Sequence, residues 1–159
     1  MHDSQKSLGS GTHVQWLGDK LSAEGAAAET GTRKPSSRKK RKLVLVVDDE
    51  PVITDTLLQI LRLEGFDALG VHDGLSAVEE AVRSKPDIVL ADVAMPRLNG
   101  VEAAKRILAK LPETRIVLFS GQAETADLLA RARAEGFEFE VLAKPVKPDH
   151  LLRTLRSSE

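Results

Sequence analysis

The sequence predicts an α/β protein, a doubly wound five-stranded parallel sheet flanked by five helices. Three observations lead to that class. From Leu43 onward, short apolar runs alternate five times with amphipathic helical stretches, the pattern of parallel strands joined by right-handed helical crossovers. The first run, LVLVV at 43–47, is apolar throughout, as a strand covered on both faces is. The strand-like runs also end abruptly in polar and charged residues, and sheets of this class bind ligands just outside the carboxyl ends of their strands.

Each element follows in order. Pro51 opens a helical stretch, PVITDTLLQILRLEG, in which Val52, Ile53, Thr56, Leu57, Ile60 and Leu61 share a face. Proline in a first turn and Gly65 just past the end are the expected punctuation. FDALGV (66–71) is the second strand, and GLSAVEEAVRSK (74–85) is a helix apolar at Leu75, Ala77, Val78, Ala81 and Val82 that stops before Pro86. DIVLADV (87–93) is the third strand, and NGVEAAKRILAKL (99–111) the helix ended by Pro112. RIVLFS (115–120) and AETADLLARARAEG (123–136) repeat the cycle, with Gly136 closing the helix. FEFEVLAKP (137–145) and PDHLLRTLRSS (148–158) complete it.

Ahead of this domain, assigned to residues 43–159, runs a different kind of polymer. Residues 1–42 carry nine basic and four acidic residues, net +5, whereas 43–159 carry 14 basic and 20 acidic, net −6. The segment is rich in Gly, Ser, Thr and Ala and cannot bury enough surface to offset its chain entropy, so it is expected to be a disordered basic tail. VQWLGDKLSAEGAAAE (14–29) has the spacing of a short helix, weakened by Gly18 and Gly25. The run SRKKRK (37–42) lacks the stacking aromatics of a nucleic-acid surface, and no nucleic-acid partner is expected. With no cysteine there is neither a disulfide framework nor a thiolate metal site. No apolar run approaches the roughly 18 residues of a membrane span, and no secretory signal opens the chain. A cytoplasmic protein is expected.

The residues at the strand ends carry the chemistry. The first strand runs into Asp48, Asp49 and Glu50, the third ends at Asp92, the fourth at Ser120 and the fifth at Lys144. Adjacent carboxylates resist ionising together, and a hard cation resolves that conflict. Mg²⁺ prefers oxygen ligands and takes one or two carboxylates together with phosphate oxygens and water. An amine and a hydroxyl on the same rim add donors for an anion with several oxygens. A cation site, an anion-reading amine and a carboxylate nucleophile are the parts of phosphoryl transfer. Glu50 is better placed to favour the N-terminus of the first helix than to bind metal. His72 and His150 have no partner pattern and read as surface residues.

With VVDDEP, DIVLADVAMPRLNG, IVLFSG and VLAKPV in this order at the strand ends, residues 43–159 resemble the receiver domain of bacterial two-component response regulators, the CheY-like superfamily with its flavodoxin-like receiver fold. Met95–Pro96 and Asn99–Gly100 after Asp92 belong to the same resemblance. It implies a phosphoprotein in which Asp92 accepts a phosphoryl group from a sensor histidine kinase or a histidine phosphotransfer protein. Mg²⁺ would be held by Asp49, Asp92 and the backbone carbonyl of Ala94, with Asp48 acting directly or through a water. Lys144 would pair with the phosphoryl oxygens, and Ser120 would turn to hydrogen-bond them. Lys144–Pro145 would be a cis peptide that aims the lysine inward. Gln122 would tune water access to the acyl phosphate.

Two features depart from the family pattern. The position three residues before the strand-5 lysine, often aromatic, is Val141, with Phe139 two residues off register on the same strand face. After Leu155 only four residues remain, too few for a helix-turn-helix or an enzymatic output domain. The expected function is therefore a single-domain response regulator, a phosphorelay switch that changes its contacts with a downstream protein target. It is not expected to be an enzyme beyond slow dephosphorylation of its own Asp92. The alternative is a receiver-fold interaction module that works without phosphorylation. A Mg²⁺-dependent phosphohydrolase would want an acid close after the nucleophile, where Val93 and Ala94 supply none.

Overall fold

The computed structural model describes residues 39–121 and 124–157. The tail reading for residues 1–42 falls almost wholly outside them, and Gln122 does so entirely. Five parallel strands, β1 (Leu43–Val47), β2 (Asp67–Val71), β3 (Ile88–Asp92), β4 (Arg115–Ser120) and β5 (Glu140–Ala143), lie in the order β2-β1-β3-β4-β5. They alternate with α1 (Pro51–Leu63), α2 (Gly74–Ser84), α3 (Gly100–Lys110), α4 (Glu124–Ala134) and α5 (Pro148–Arg156). This is the doubly wound α/β sandwich and the flavodoxin-like strand order. The order reverses at β1, whose neighbours are β2 on one side and β3 on the other. A crevice therefore opens between the carboxyl ends of β1 and β3.

The apolar strands hide a period of two. Leu45, Val47, Val89, Ala91, Ile116 and Leu118 face α2, α3 and α4, meeting Ala77, Ala81, Val101, Ala104, Ile107 and Ala132. Val44, Val46, Ile88, Leu90, Val117, Phe119 and Leu142 face α1 and α5, meeting Leu61, Leu151, Leu152 and Leu155. Successive side chains of a strand point to opposite faces, so a run apolar at every position fills both layers at once. Each fully buried Leu, Val or Phe contributes about 1.5–3 kcal/mol of transfer free energy. Those two layers hold the rim in place.

The helix ends are closed by local chemistry. Pro51 and Pro148 occupy first turns, where the missing N–H costs nothing. Asp73 caps α2 by accepting from the Ser76 N–H, and Asn99 caps α3 by accepting from the Glu102 N–H. After α4, Gly136 adopts φ +94°. Its N–H donates to the Arg133 carbonyl and the Phe137 N–H donates to the Ala132 carbonyl, the Schellman closure. Gly65 and Phe66 terminate α1 in the same way.

Two expectations need correction. The fifth strand, expected over 137–145, pairs with β4 only over Glu140–Ala143. Phe137 is instead spent on closing α4. Phe139 precedes the strand and stacks on Phe137 with ring centroids 6.0 Å apart. On α1, Val52 is 77% exposed and Thr56 is also exposed, while Thr54 is buried. The helix presents Thr54 and Leu58 to Gly70 of β2, and the Thr54 hydroxyl donates to the Asp48 carbonyl at 3.1 Å. On α2, Leu75 and Val82 flank the buried Ala77–Ala81 line and remain exposed.

Candidate functional site

The rim at the switch point is assembled from four strand ends. β1 delivers Asp48 and Asp49. Asp48 is fully buried, and its backbone N–H donates to the Val71 carbonyl of β2, continuing the ladder one residue past the strand. Its Oδ1 accepts the Glu50 N–H at 2.9 Å, whereas its Oδ2 is buried and accepts no hydrogen bond. Asp49 is exposed and lines the cavity. β3 ends in Asp92, 4% exposed, whose Oδ1 accepts the Ala94 N–H at 3.2 Å.

Lys144 enters from the end of β5. Its Nζ lies 3.0 Å from Asp92 Oδ2 and 3.6 Å from Asp48 Oδ2. Partial burial pulls its pKa down. The hydrogen bond to Asp92 and the charges of Asp92, Asp48 and Glu50 outweigh that and hold it above the ordinary lysine value. Burial is also the largest influence on Asp48 and pushes its carboxyl up, reinforced by the Asp92 and Asp49 charges and opposed by the Glu50 N–H and Lys144. Its ionised form thus has a cost that one ammonium at 3.6 Å does not remove.

One oxygen from each of Asp48, Asp49 and Asp92 lies within 4.8 Å of the others. Oxygen donors, two of the three carboxylates buried, and an orphaned Asp48 Oδ2 suit a hard divalent cation such as Mg²⁺. Glu50 stands outside this trio. It occupies the N-cap position of α1, though its side chain makes no capping bond. The cavity, about 400 Å³, is lined by Asp49, Asp92, Ala94, Asn99, Thr125 and Lys144, with Glu50, Val93, Met95, Gly121 and Leu128 completing the wall. It has room for a phosphoryl group and its metal.

Asp48, Asp49, Asp92 and Lys144 therefore lie together on one rim, and Ala94 lines the same cavity. The Lys144–Pro145 peptide is cis. Ser120, half-buried at the end of β4, directs its hydroxyl to that of Thr125. His150 is exposed on α5, while the exposed His72 places Nδ1 3.2 Å from the Asp48 carbonyl. Two residues escaped the sequence reading. Thr54 fastens α1 to the backbone of Asp48, and Thr125 is buried in the cavity wall. A threonine in the first turn of a helix gives no sign of burial until the helix is docked. Gly100, read only as part of a motif, also has a steric role. A Cβ there would lie 2.1 Å from the Asp92 carbonyl oxygen, so the start of α3 can approach the acid only as glycine.

The fold and this rim define a doubly wound α/β protein with a cation-ready acidic pocket at its switch point. Residues 44–156 match the family model of the response regulator receiver domain, and the chain belongs to that family. It is 32% identical over 117 residues to the DNA-binding response regulator MtrA of Mycolicibacterium smegmatis, a match spanning 74% of this chain and 50% of the relative. To the chemotaxis protein CheY of Thermotoga maritima it is 32% identical over 115 residues, 72% of this chain and 94% of that protein. The chain thus spans about half the length of the MtrA and TcrX relatives it matches. Among solved structures, the receiver domain of the Pseudomonas aeruginosa sensor histidine kinase PA1611, with a magnesium ion coordinated in its active-site cleft, superposes with TM-score 0.64 at 29% identity, covering 74% of this chain and 97% of that one. Vibrio cholerae CheY4 superposes with TM-score 0.65 at 27% identity, covering 76% and 100%. Among the described residues, no helix is long and apolar enough to cross a membrane.

Proposed function

We propose that this receiver accepts a phosphoryl group on Asp92 in a Mg²⁺-dependent reaction and thereby switches its contacts with a protein target. The observation that carries this reading is the position of Asp92, buried at the end of β3 with Lys144 Nζ at 3.0 Å and two further carboxylates alongside. The Asp92 carboxylate attacks phosphorus as the bond to the donor breaks. The electron pair of that bond leaves on the donor atom, an imidazole nitrogen in phosphohistidine, which then takes a proton. Asp48, Asp49, Asp92 and the Ala94 carbonyl are the residues suited to hold Mg²⁺, which when bound supplies positive charge to the transferring oxygens. Lys144 adds a fixed ammonium on the same side. Ser120 is the hydroxyl that reads the product.

The donor we infer is a histidine on a helical partner, a sensor kinase or a phosphotransfer protein. A second cavity of about 580 Å³ lies between α1 and the segment from β5 to α5, lined by Val52, Ile53, Leu57, Phe119, Pro145 and Leu151 among others. Gly121 and Lys144 line both cavities. An amphipathic helix laid into that apolar cleft would bring a side chain to the edge of the acidic one. We assign the output of this receiver domain to protein contact in the cytoplasm, without enzymatic turnover beyond loss of its own phosphoryl group. Val141, 39% exposed on the edge strand, motivates the alternative of a module that works without phosphate.

Intact-mass spectrometry after incubation with a small acyl phosphate, with and without Mg²⁺, tests the assignment. Wild type should gain one phosphoryl group only with the metal, and Asp92→Asn should gain none while remaining folded. Uptake by Asp92→Asn at the wild-type rate would remove Asp92 from the role.

A further inference from the structure

Thr125 is one of six buried polar residues among the described residues, and it has a hydroxyl partner of functional interest. Its Oγ1 meets Ser120 Oγ, joining the end of β4 to the start of α4. Ser120 has little freedom except rotation of its side chain. It ends β4, pairs with Ala143, and accepts the Lys144 N–H on its carbonyl at 2.9 Å. The residue before it, Phe119, is the register partner of Asp92. Thr125, by contrast, belongs to the first turn of a helix whose Leu128 and Leu129 pack only partly buried against the core. Among the described side chains of α4, only Thr125 and Ala132 are buried.

A hydroxyl has one donor and two acceptor sites. Ser120 can therefore donate to a phosphoryl oxygen and at the same time accept from Thr125, and each bond polarises the other. Either hydroxyl of the pair can donate, and a phosphoryl oxygen that takes the Ser120 proton sets the direction. We propose that Thr125 is the positioning residue for Ser120 and the link by which phosphorylation is felt at the N-terminus of α4, an inference that rests on the Asp92 reading above. The residue orients a hydroxyl and carries its state to a helix whose other fully buried side chain, Ala132, lies two turns away.

The test uses the full chain loaded with acyl phosphate and Mg²⁺. The phosphorylated fraction is read by intact mass, and hydrogen exchange of the α4 amides is compared at equal fraction. Wild type and Thr125→Ser should share a phosphate-dependent change across α4. Thr125→Val, which keeps the volume without the hydroxyl, should show it reduced about fivefold, the equilibrium factor of one ordinary hydrogen bond. Thr125→Ala serves if valine disturbs the fold. Ser120→Ala combined with Thr125→Val should lose no more than either alone. A phosphorylated Thr125→Val or Thr125→Ala protein with the wild-type α4 response overturns the link while leaving Asp92 in place. A wild type that takes up no phosphate overturns the Asp92 reading and this inference together.

Discussion

Lys144 Nζ stands 3.0 Å from Asp92 Oδ2, close enough for a charge-assisted hydrogen bond. A single ammonium thus serves the metal-free pocket as counter-charge for Asp92 and, at longer range, for Asp48. Lys144→Ala should lower the stability of the metal-free protein by roughly 1–3 kcal/mol, below the figure for breaking a fully buried pair because the side chain is 27% exposed. Saturating Mg²⁺ should recover most of that loss by taking over the neutralisation. Phosphate uptake should persist while the phosphate-dependent conformational change disappears. Thermal unfolding with and without Mg²⁺, followed by hydrogen exchange on the phosphorylated protein, checks each part.

Asp48 presents the opposite case. Its folded-state carboxyl is raised above the ordinary aspartate value, chiefly by burial. Folding then favours the neutral form, and the metal-free protein loses stability as pH rises from the ordinary value through the folded one. Asp48→Asn should be more stable than wild type without metal at neutral pH, with a Tm higher by roughly 2–5 °C. It should also lose most of the Mg²⁺-dependent rise in Tm that ligand linkage is expected to give the wild type. A Mg²⁺ titration of Tm on both proteins decides it.

Gly100 ties the acid to the helix behind it. A Cβ at this position would lie 2.1 Å from the Asp92 carbonyl oxygen and 2.9 Å from its carbonyl carbon, and neither backbone atom can swing aside. Gly100→Ala should cost about 3 kcal/mol, at the upper end of overpacking, despite alanine's better helix propensity. Urea denaturation should show the loss. A protein of wild-type midpoint would mean that β3 and α3 can part at no cost.

Asp73 supplies a cap with a pH signature. It accepts from the Ser76 N–H at 2.8 Å and from the Ser76 hydroxyl at 2.7 Å. These bonds, the backbone one first, hold its carboxyl below the ordinary range, with help from the Arg97 charge. A depressed carboxyl contributes stability that is present above the unfolded pKa and lost as pH falls through the folded one. Asp73→Ala should therefore cost about 1 kcal/mol at neutral pH, and the gap to wild type should narrow as pH drops below the ordinary carboxylate range. Paired urea curves at neutral and acid pH give the comparison.

The sequence by itself determined the five-fold alternation, the helix stops at Gly65 and Gly136, and the identity of the rim residues. The reason is geometric. In a sheet whose strands all run one way, every carboxyl end lies on one side, so reading Asp48, Asp49, Asp92, Ser120 and Lys144 at strand ends places them together without knowing which strand neighbours which. Tertiary structure alone decided what those residues touch. Helical spacing defines a face but not its rotation, so only docking against β2 buried Thr54 and left Val52 in the open. A run such as FEFEVLA cannot say where pairing begins, because the Phe137 N–H is claimed by the end of α4 before the ladder with β4 starts. The Ser120–Thr125 pair joins a strand end to a helix start, and the position of α4 on the sheet, invisible in a list of residues, brings the two hydroxyls together.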